Sequence, residues 1–318
     1  MANTETLRNR LDARTESTKS SKPDEITYKS PKGSRTLTWR EVPAWMQDNE
    51  FILTGYRRQQ DSVRGCMHTI FAYTHNETIN IHTHLWGAVL FLYLLTDFYR
   101  HLSQYDSVNH YDIGAFLIFL VSAVVCLSFS SLYHTMSCHS KEIHDFFHMF
   151  DYAGIVILIV GSFFPSIYYA FYCKPHFQAI YLSGISIAGI GASYIVLSPE
   201  YRKPTHRAAR TRVFILLGLV AVLPITHAMF VFGMKQLLQE MGFGWIVTSG
   251  ALYIVGALIY VNRIPERWFA TSNIRFFDKW FSSHQIFHVY VVLAAMAQYM
   301  CILQALHHRH GSSNGICI

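Results

Sequence analysis

The sequence predicts an all-α polytopic membrane protein with seven transmembrane helices. Three observations carry that prediction. The 318 residues are 51% hydrophobic and 15% aromatic, yet only 14% are charged, against about a quarter in a soluble domain. Seven apolar stretches follow one another, at 81–99, 113–133, 152–173, 177–198, 213–234, 241–262 and 285–306. Each is near the ~20 residues that a helix needs to cross about 30 Å of hydrocarbon. Six of them hold no Asp, Glu, Lys or Arg, and the first holds only Asp97. Barrel strands would be about half as long and would alternate in polarity.

From the N-terminus, residues 1–37 are rich in Ser, Thr, Lys, Glu and Pro. They bury too little to fold, so a disordered cytosolic tail is expected. Residues 38–80 open with Trp, Phe, Ile and Leu among charges, which reads as a cytosolic or interfacial segment. Residues 81–306 make the transmembrane domain, and 307–318 a short tail. The polar N-terminus gives no cleavable signal peptide, so the first span is expected to act as the insertion signal. Pro165 and Pro224 predict kinks in spans three and five. Gly184, Ala188 and Ala192 predict a small-residue packing face on span four. The six cysteines, Cys66, Cys126, Cys138, Cys173, Cys301 and Cys317, have no paired spacing. That predicts neither a disulfide framework nor a Cys-type zinc knuckle.

Orientation follows from the loops. With the N-terminus in the cytosol, the cytosolic loops 134–151, 199–212 and 263–284 carry ten Lys and Arg. The opposite side carries four: Arg100, Lys174, Lys235 and Arg309. The positive-inside rule then predicts a cytosolic N-terminus and a C-terminus on the opposite side. The net charge of +6 belongs to that asymmetry, and no nucleic-acid partner is expected.

This topology brings distant residues to one depth. His134 closes span two at its cytosolic end, Asp151 precedes span three there, and His284 and His288 open span seven there. His284 and His288, at i and i+4, share one helical face, the spacing used by zinc-binding helices. His134 would add a third nitrogen, giving a three-histidine zinc site with an open fourth position. Asp151 is placed to hold a water or accept its proton. Ser130, one turn deeper than His134, is placed to hydrogen-bond a substrate carbonyl or oxyanion. Each residue also has a plainer reading. A histidine at the membrane edge can simply pack, Asp151 can interact with a helix dipole, and Ser130 can bond its own helix backbone. Spacing alone leaves both readings standing. His144, His148 and Asp151 form a rival set at i, i+4 and i+7, but the first two read as solvated loop surface. His307, His308 and His310 read as a tail of adventitious metal affinity at most. No span carries a line of ionisable groups from face to face, which argues against an ion pathway.

Six stretches carry a family resemblance: "EVPAWMQDNEFILTGYR", "HNETINIHTH", "CLSFSSLYHTMSCHS", "DYAGIVILIVGSF", "RIPERWF" and "SHQIFH". In order across roughly residues 38–306, they resemble the progestin and adipoQ receptor family, also called the adiponectin-receptor or haemolysin-III-related family. The likeness is drawn to its fungal osmotin-receptor-like members. The resemblance implies seven helices with the N-terminus inside and a zinc ion near the cytosolic face. Its ligands would be His134, His284 and His288, with Asp151 reaching zinc through water and Ser130 matching the family's serine. It further implies zinc-dependent hydrolysis of a membrane lipid amide, ceramide above all, and a role in lipid and zinc homeostasis. The alternative it implies is a non-enzymatic receptor with structural zinc and an extracellular ligand. Either protein would sit in the plasma membrane or the endoplasmic reticulum.

Overall fold

The computed structural model describes residues 33–312, 315 and 317. The tail expected to be disordered therefore lies, up to residue 32, outside the described residues. A two-stranded antiparallel ribbon pairs β1 (Thr36–Leu37) with β2 (Tyr56–Arg57). Helices follow: α1 (Val63–Ala72), α2 (Thr78–Leu102), α3 (His110–Met136), α4 (Lys141–Ala170), α5 (Pro175–Leu197), α6 (Arg207–Leu219), α7 (Val222–Phe232), α8 (Met234–Glu240), α9 (Phe243–Asn262), α10 (Glu266–Phe269), α11 (Phe276–Lys279) and α12 (Ser283–Leu306). Among the described residues, seven segments are long and apolar enough to cross a membrane, with α6 and α7 together making the fifth. The chain is an integral membrane protein.

Helix starts follow local chemistry. α3 opens on a capping box in which the Asp112 carboxylate accepts from Asn109 N–H at 3.0 Å. Ser140 caps α4, and Ser282 with Gln285 forms a second box at α12. The Ser140 cap moves one boundary. The third span begins at Lys141, well before the apolar run at 152, because polar residues extend a capped helix beyond its greasy part. His144 and His148, expected in a solvated loop, are therefore half-buried on α4. His144 accepts from or donates to the Tyr133 hydroxyl at 3.2 Å, and His148 stacks on the Tyr133 ring at 4.7 Å.

The two prolines behave differently. Span five breaks at Val220–Ala221, just before Pro224, which cannot donate to a carbonyl four residues back. α4 stays continuous through Pro165. The packing face expected on span four is shifted. Ala192 is buried and Ala188 packs against the same cluster as expected, whereas Gly184 is exposed and Gly189 faces Val160 so closely that a Cβ there would lie 2.5 Å from a Val160 methyl. The cysteine expectation also changes, since Cys173 and Cys317 form a disulfide. Their separation of 144 residues leaves no spacing signal in the sequence.

Two apolar clusters fill the bundle. Phe91, Phe116, Phe119, Leu127, Ala295 and Ile302 join α2, α3 and α12. Tyr152, Val156, Phe163, Ile185, Val196 and Leu217 join α4, α5 and α6. Large exposed side chains such as Ile187, Ile190, Tyr194, Leu223 and Phe230 form the lipid-facing surface that a membrane bundle needs.

The N-terminal segment is fastened across one end of this bundle. Thr54 donates to Asp278 at 2.7 Å, and Asn49 donates to Glu266 at 2.9 Å. Glu266, 1% exposed, also accepts from Ser283 N–H at 2.7 Å, a carboxylate placed at the start of α12. Arg57, 1% exposed, is the central anchor. Its guanidinium donates to the carbonyls of His134 and Thr135 and to the hydroxyls of Thr69 and Ser137. It thereby caps the C-terminal end of α3. His75, fully buried beside it, takes Glu77 N–H on Nδ1 at 3.2 Å and presents Nε2 to the Thr69 carbonyl at 3.3 Å. Burial, then the charge of Arg57, pulls His75 down to about 3, so it stays neutral.

Two expectations follow from this end of the molecule. Arg57→Lys keeps the charge but loses the fork. It should cost on the order of 2 kcal/mol and lower the Tm in detergent, and an unchanged Tm would remove the clamp. A neutral imidazole held below its unfolded value adds stability above about pH 6.5 that is lost as pH falls towards the folded value. His75→Gln should therefore flatten the fall in Tm on acidification from about pH 7 to about pH 4. A slope identical to wild type would take His75 out of the acid response.

Candidate metal centre

Three helices meet at the strapped end of the bundle. α3 delivers His134 from its last turn, just before the Arg57 cap. α12 delivers His284 and His288 from its first two turns. The rings lie at centroid distances of 4.9 Å for His134–His284, 4.7 Å for His134–His288 and 4.8 Å for His284–His288. One nitrogen from each falls within 4.8 Å of the others. His134 and His288 are 2% exposed.

Two of the rings have a partner on their other nitrogen. His134 Nδ1 meets the Glu77 carboxylate at 2.7 Å, and His288 Nδ1 meets the Asn80 carbonyl at 3.1 Å. Both partners are acceptors, so both Nδ1 atoms carry the proton, and in the neutral ring Nε2 keeps the lone pair. His134 Nε2 is buried and has no hydrogen-bond partner. A buried imidazole nitrogen of this kind costs about 1–3 kcal/mol unless something binds it. Three imidazoles that bring one nitrogen each to within 4.8 Å of the others suit a metal ion, and these residues fit one.

α4 places Asp151, 8% exposed, on the same wall as Ser130 of α3, 3% exposed. Both line a cavity of about 600 Å³ that also touches His284 and His288. Away from the histidines its walls are apolar, with Leu158, Phe163, Val222, Ile246 and Phe287 among them, and Arg210 and Thr211 also line it. The space lies between the two apolar clusters.

All five residues singled out by spacing thus gather at one end of the bundle. His144 and His148 do not join the imidazole group; they surround Tyr133, next to His134. The tail histidines are structural partners at the opposite end. His310 meets Asp112 at 3.0 Å and Ser107 at 2.9 Å. Three contributors escaped sequence reasoning: Glu77, Asn80 and His84. His84 is buried and its ring stacks on His288 at 3.7 Å. All three lie in "HNETINIHTH", whose signal is a Glu and an Asn three residues apart on the first turn of a span.

Comparison with known proteins fits this architecture. Residues 72–299 match the family model described as haemolysin-III related. The "Adiponectin receptor protein" of Drosophila melanogaster is 41% identical over 82% of this chain and 57% of its own length. The "Heptahelical transmembrane protein 1" of Arabidopsis thaliana is 36% identical over 86% of this chain and 82% of its own. The "ADIPOR-like receptor IZH2" of Saccharomyces cerevisiae is 31% identical over 90% of this chain and 89% of its own. The chain spans less than two thirds of the insect protein. With seven membrane helices and a family match across nearly all of them, this chain belongs to the haemolysin-III-related family of adiponectin-receptor-like membrane proteins.

Proposed function

We propose that the chain is a zinc-dependent intramembrane hydrolase of a lipid amide, ceramide being the leading substrate, with a role in lipid and zinc homeostasis. The observation that carries this is a three-imidazole group of which His284 and His288 line an apolar cavity of about 600 Å³ whose wall also holds Asp151 and Ser130. Zinc suits three neutral imidazoles with a fourth position left open. When bound, it supplies Lewis acidity to that position.

The remaining chemistry belongs to the protein. Asp151 is the proton carrier. It takes the proton of the attacking water and returns it to the departing amine as the C–N bond breaks. Ser130 turns its hydroxyl to the oxyanion as charge develops there. The apolar walls hold the acyl chain and limit water to the polar end. Arg210 and Thr211 offer polar contacts to a headgroup.

The site end faces the cytosol in this reading. Basic residues concentrate there, and the Cys173–Cys317 disulfide lies at the other end. Disulfides persist on the oxidising side of a membrane, which supports a cytosolic N-terminus. A receptor reading is favoured by the names of the relatives. In that case zinc pins α3 to α12, and an extracellular ligand is the partner.

Two measurements separate these. Metal analysis of purified protein should find about one zinc per chain in wild type and a large loss in His284→Ala; full occupancy in the variant would exclude His284 as a ligand. Asp151→Asn should keep its zinc while ceramide turnover falls about 10²–10⁴-fold. Wild-type protein that holds zinc yet turns over no sphingolipid would leave the receptor reading.

A further inference from the structure

We infer that Glu77 is a positioning residue for the metal centre: its carboxylate sets the tautomer and orientation of His134 and strengthens that imidazole as a ligand. The inference rests on the metal reading above and adds a residue to it. Glu77 sits one position before α2, 57 residues from His134 in the chain. One oxygen, Oε2, takes both His134 Nδ1–H and an Asn80 Nδ2–H, each at 2.7 Å.

The carboxylate is itself held from several sides. The Glu77 backbone N–H donates to neutral His75 at 3.2 Å. The Glu77 carbonyl starts the helix by accepting from Ile81 N–H at 3.0 Å. The N-terminal end of α2 favours a negative charge there. Asn80 serves twice, since its side chain braces Glu77 while its carbonyl receives His288 Nδ1–H. One helical turn thus fixes two of the three candidate ligands with their Nε2 atoms free.

A carboxylate behind a ligating imidazole fixes the ring and raises its basicity, and losing it costs about 10–100-fold in metal affinity. A merely structural carboxylate would change stability and leave the affinity alone. Zinc affinity is therefore the readout, measured on purified full-length protein by competition with a chromophoric chelator. Glu77→Ala should bind zinc about 10–100-fold more weakly. Glu77→Gln, whose amide oxygen still accepts from Nδ1–H, should keep the tautomer but lose the charge and fall between the two. Should Glu77→Ala fail to fold, the near-isosteric Gln variant carries the test alone, with weaker binding than wild type expected. Wild-type affinity in the variants would overturn the role of Glu77 and leave the metal site standing. Wild-type protein with no measurable zinc affinity would overturn the metal reading itself, and this inference with it.

Discussion

Three imidazoles packed edge to face, two buried and one half-buried, are a demand that the rest of the molecule has to meet. Each ring has two nitrogens, and a buried polar atom without a partner is costly. His134 and His288 satisfy one nitrogen through Glu77 and Asn80, and the remaining lone pairs converge. That arrangement needs α2, α3 and α12 to end at one depth with little slack. The Arg57 fork, the Glu266 carboxylate and the Ser282 cap all act at those helix ends. They are polar contacts spent on registering helices that apolar packing alone would let slide.

Packing supplies the other half of the design. In a bilayer, apolar side chains gain little by meeting each other rather than lipid, so close contact and polar bonds decide which helices touch. α3 and α4 approach closely enough that a Cβ on Gly161 would collide with Ser122. Gln298 of α12 donates to the Ser162 carbonyl and the Ser166 hydroxyl of α4, at 3.1 and 2.7 Å. Farther round, α9 packs on α12, where the Ser249 hydroxyl donates to the Ala294 carbonyl at 2.9 Å, and the cavity lies among α4, α6, α7, α9 and α12. Two of the imidazoles, with Asp151, thus line an apolar space enclosed by these helices.

Much of this was legible in the residues. Span number follows from seven runs of length and composition, and those quantities do not depend on partners. The pair His284 and His288 is legible because helical geometry fixes an i, i+4 pair locally. His134 and Asp151 become legible only after threading, when alternating direction sorts loop ends by depth. Failures have physical causes as well. The start of α4 was hidden because hydropathy marks where lipid lies, not where backbone bonding begins. Glu77 was hidden because its meaning depends on a ring 57 positions away. The Cys173–Cys317 bond was hidden for the same reason, across 144 positions.

That bond also changes the connectivity of the chain. It joins the stretch after α4 to the last residues, so spans four to seven form a closed covalent ring, fastened at the end remote from the imidazoles. α12 carries two of the three nitrogen donors, and the ring leashes its far end to α4, the bearer of Asp151. A loosened α12 can tilt or slip but cannot wander off in the plane of the bilayer, and its return is an intramolecular event at high effective concentration. Such a tether acts on the separated state more than on the assembled one. The donor helix therefore keeps its address even when its contacts are lost.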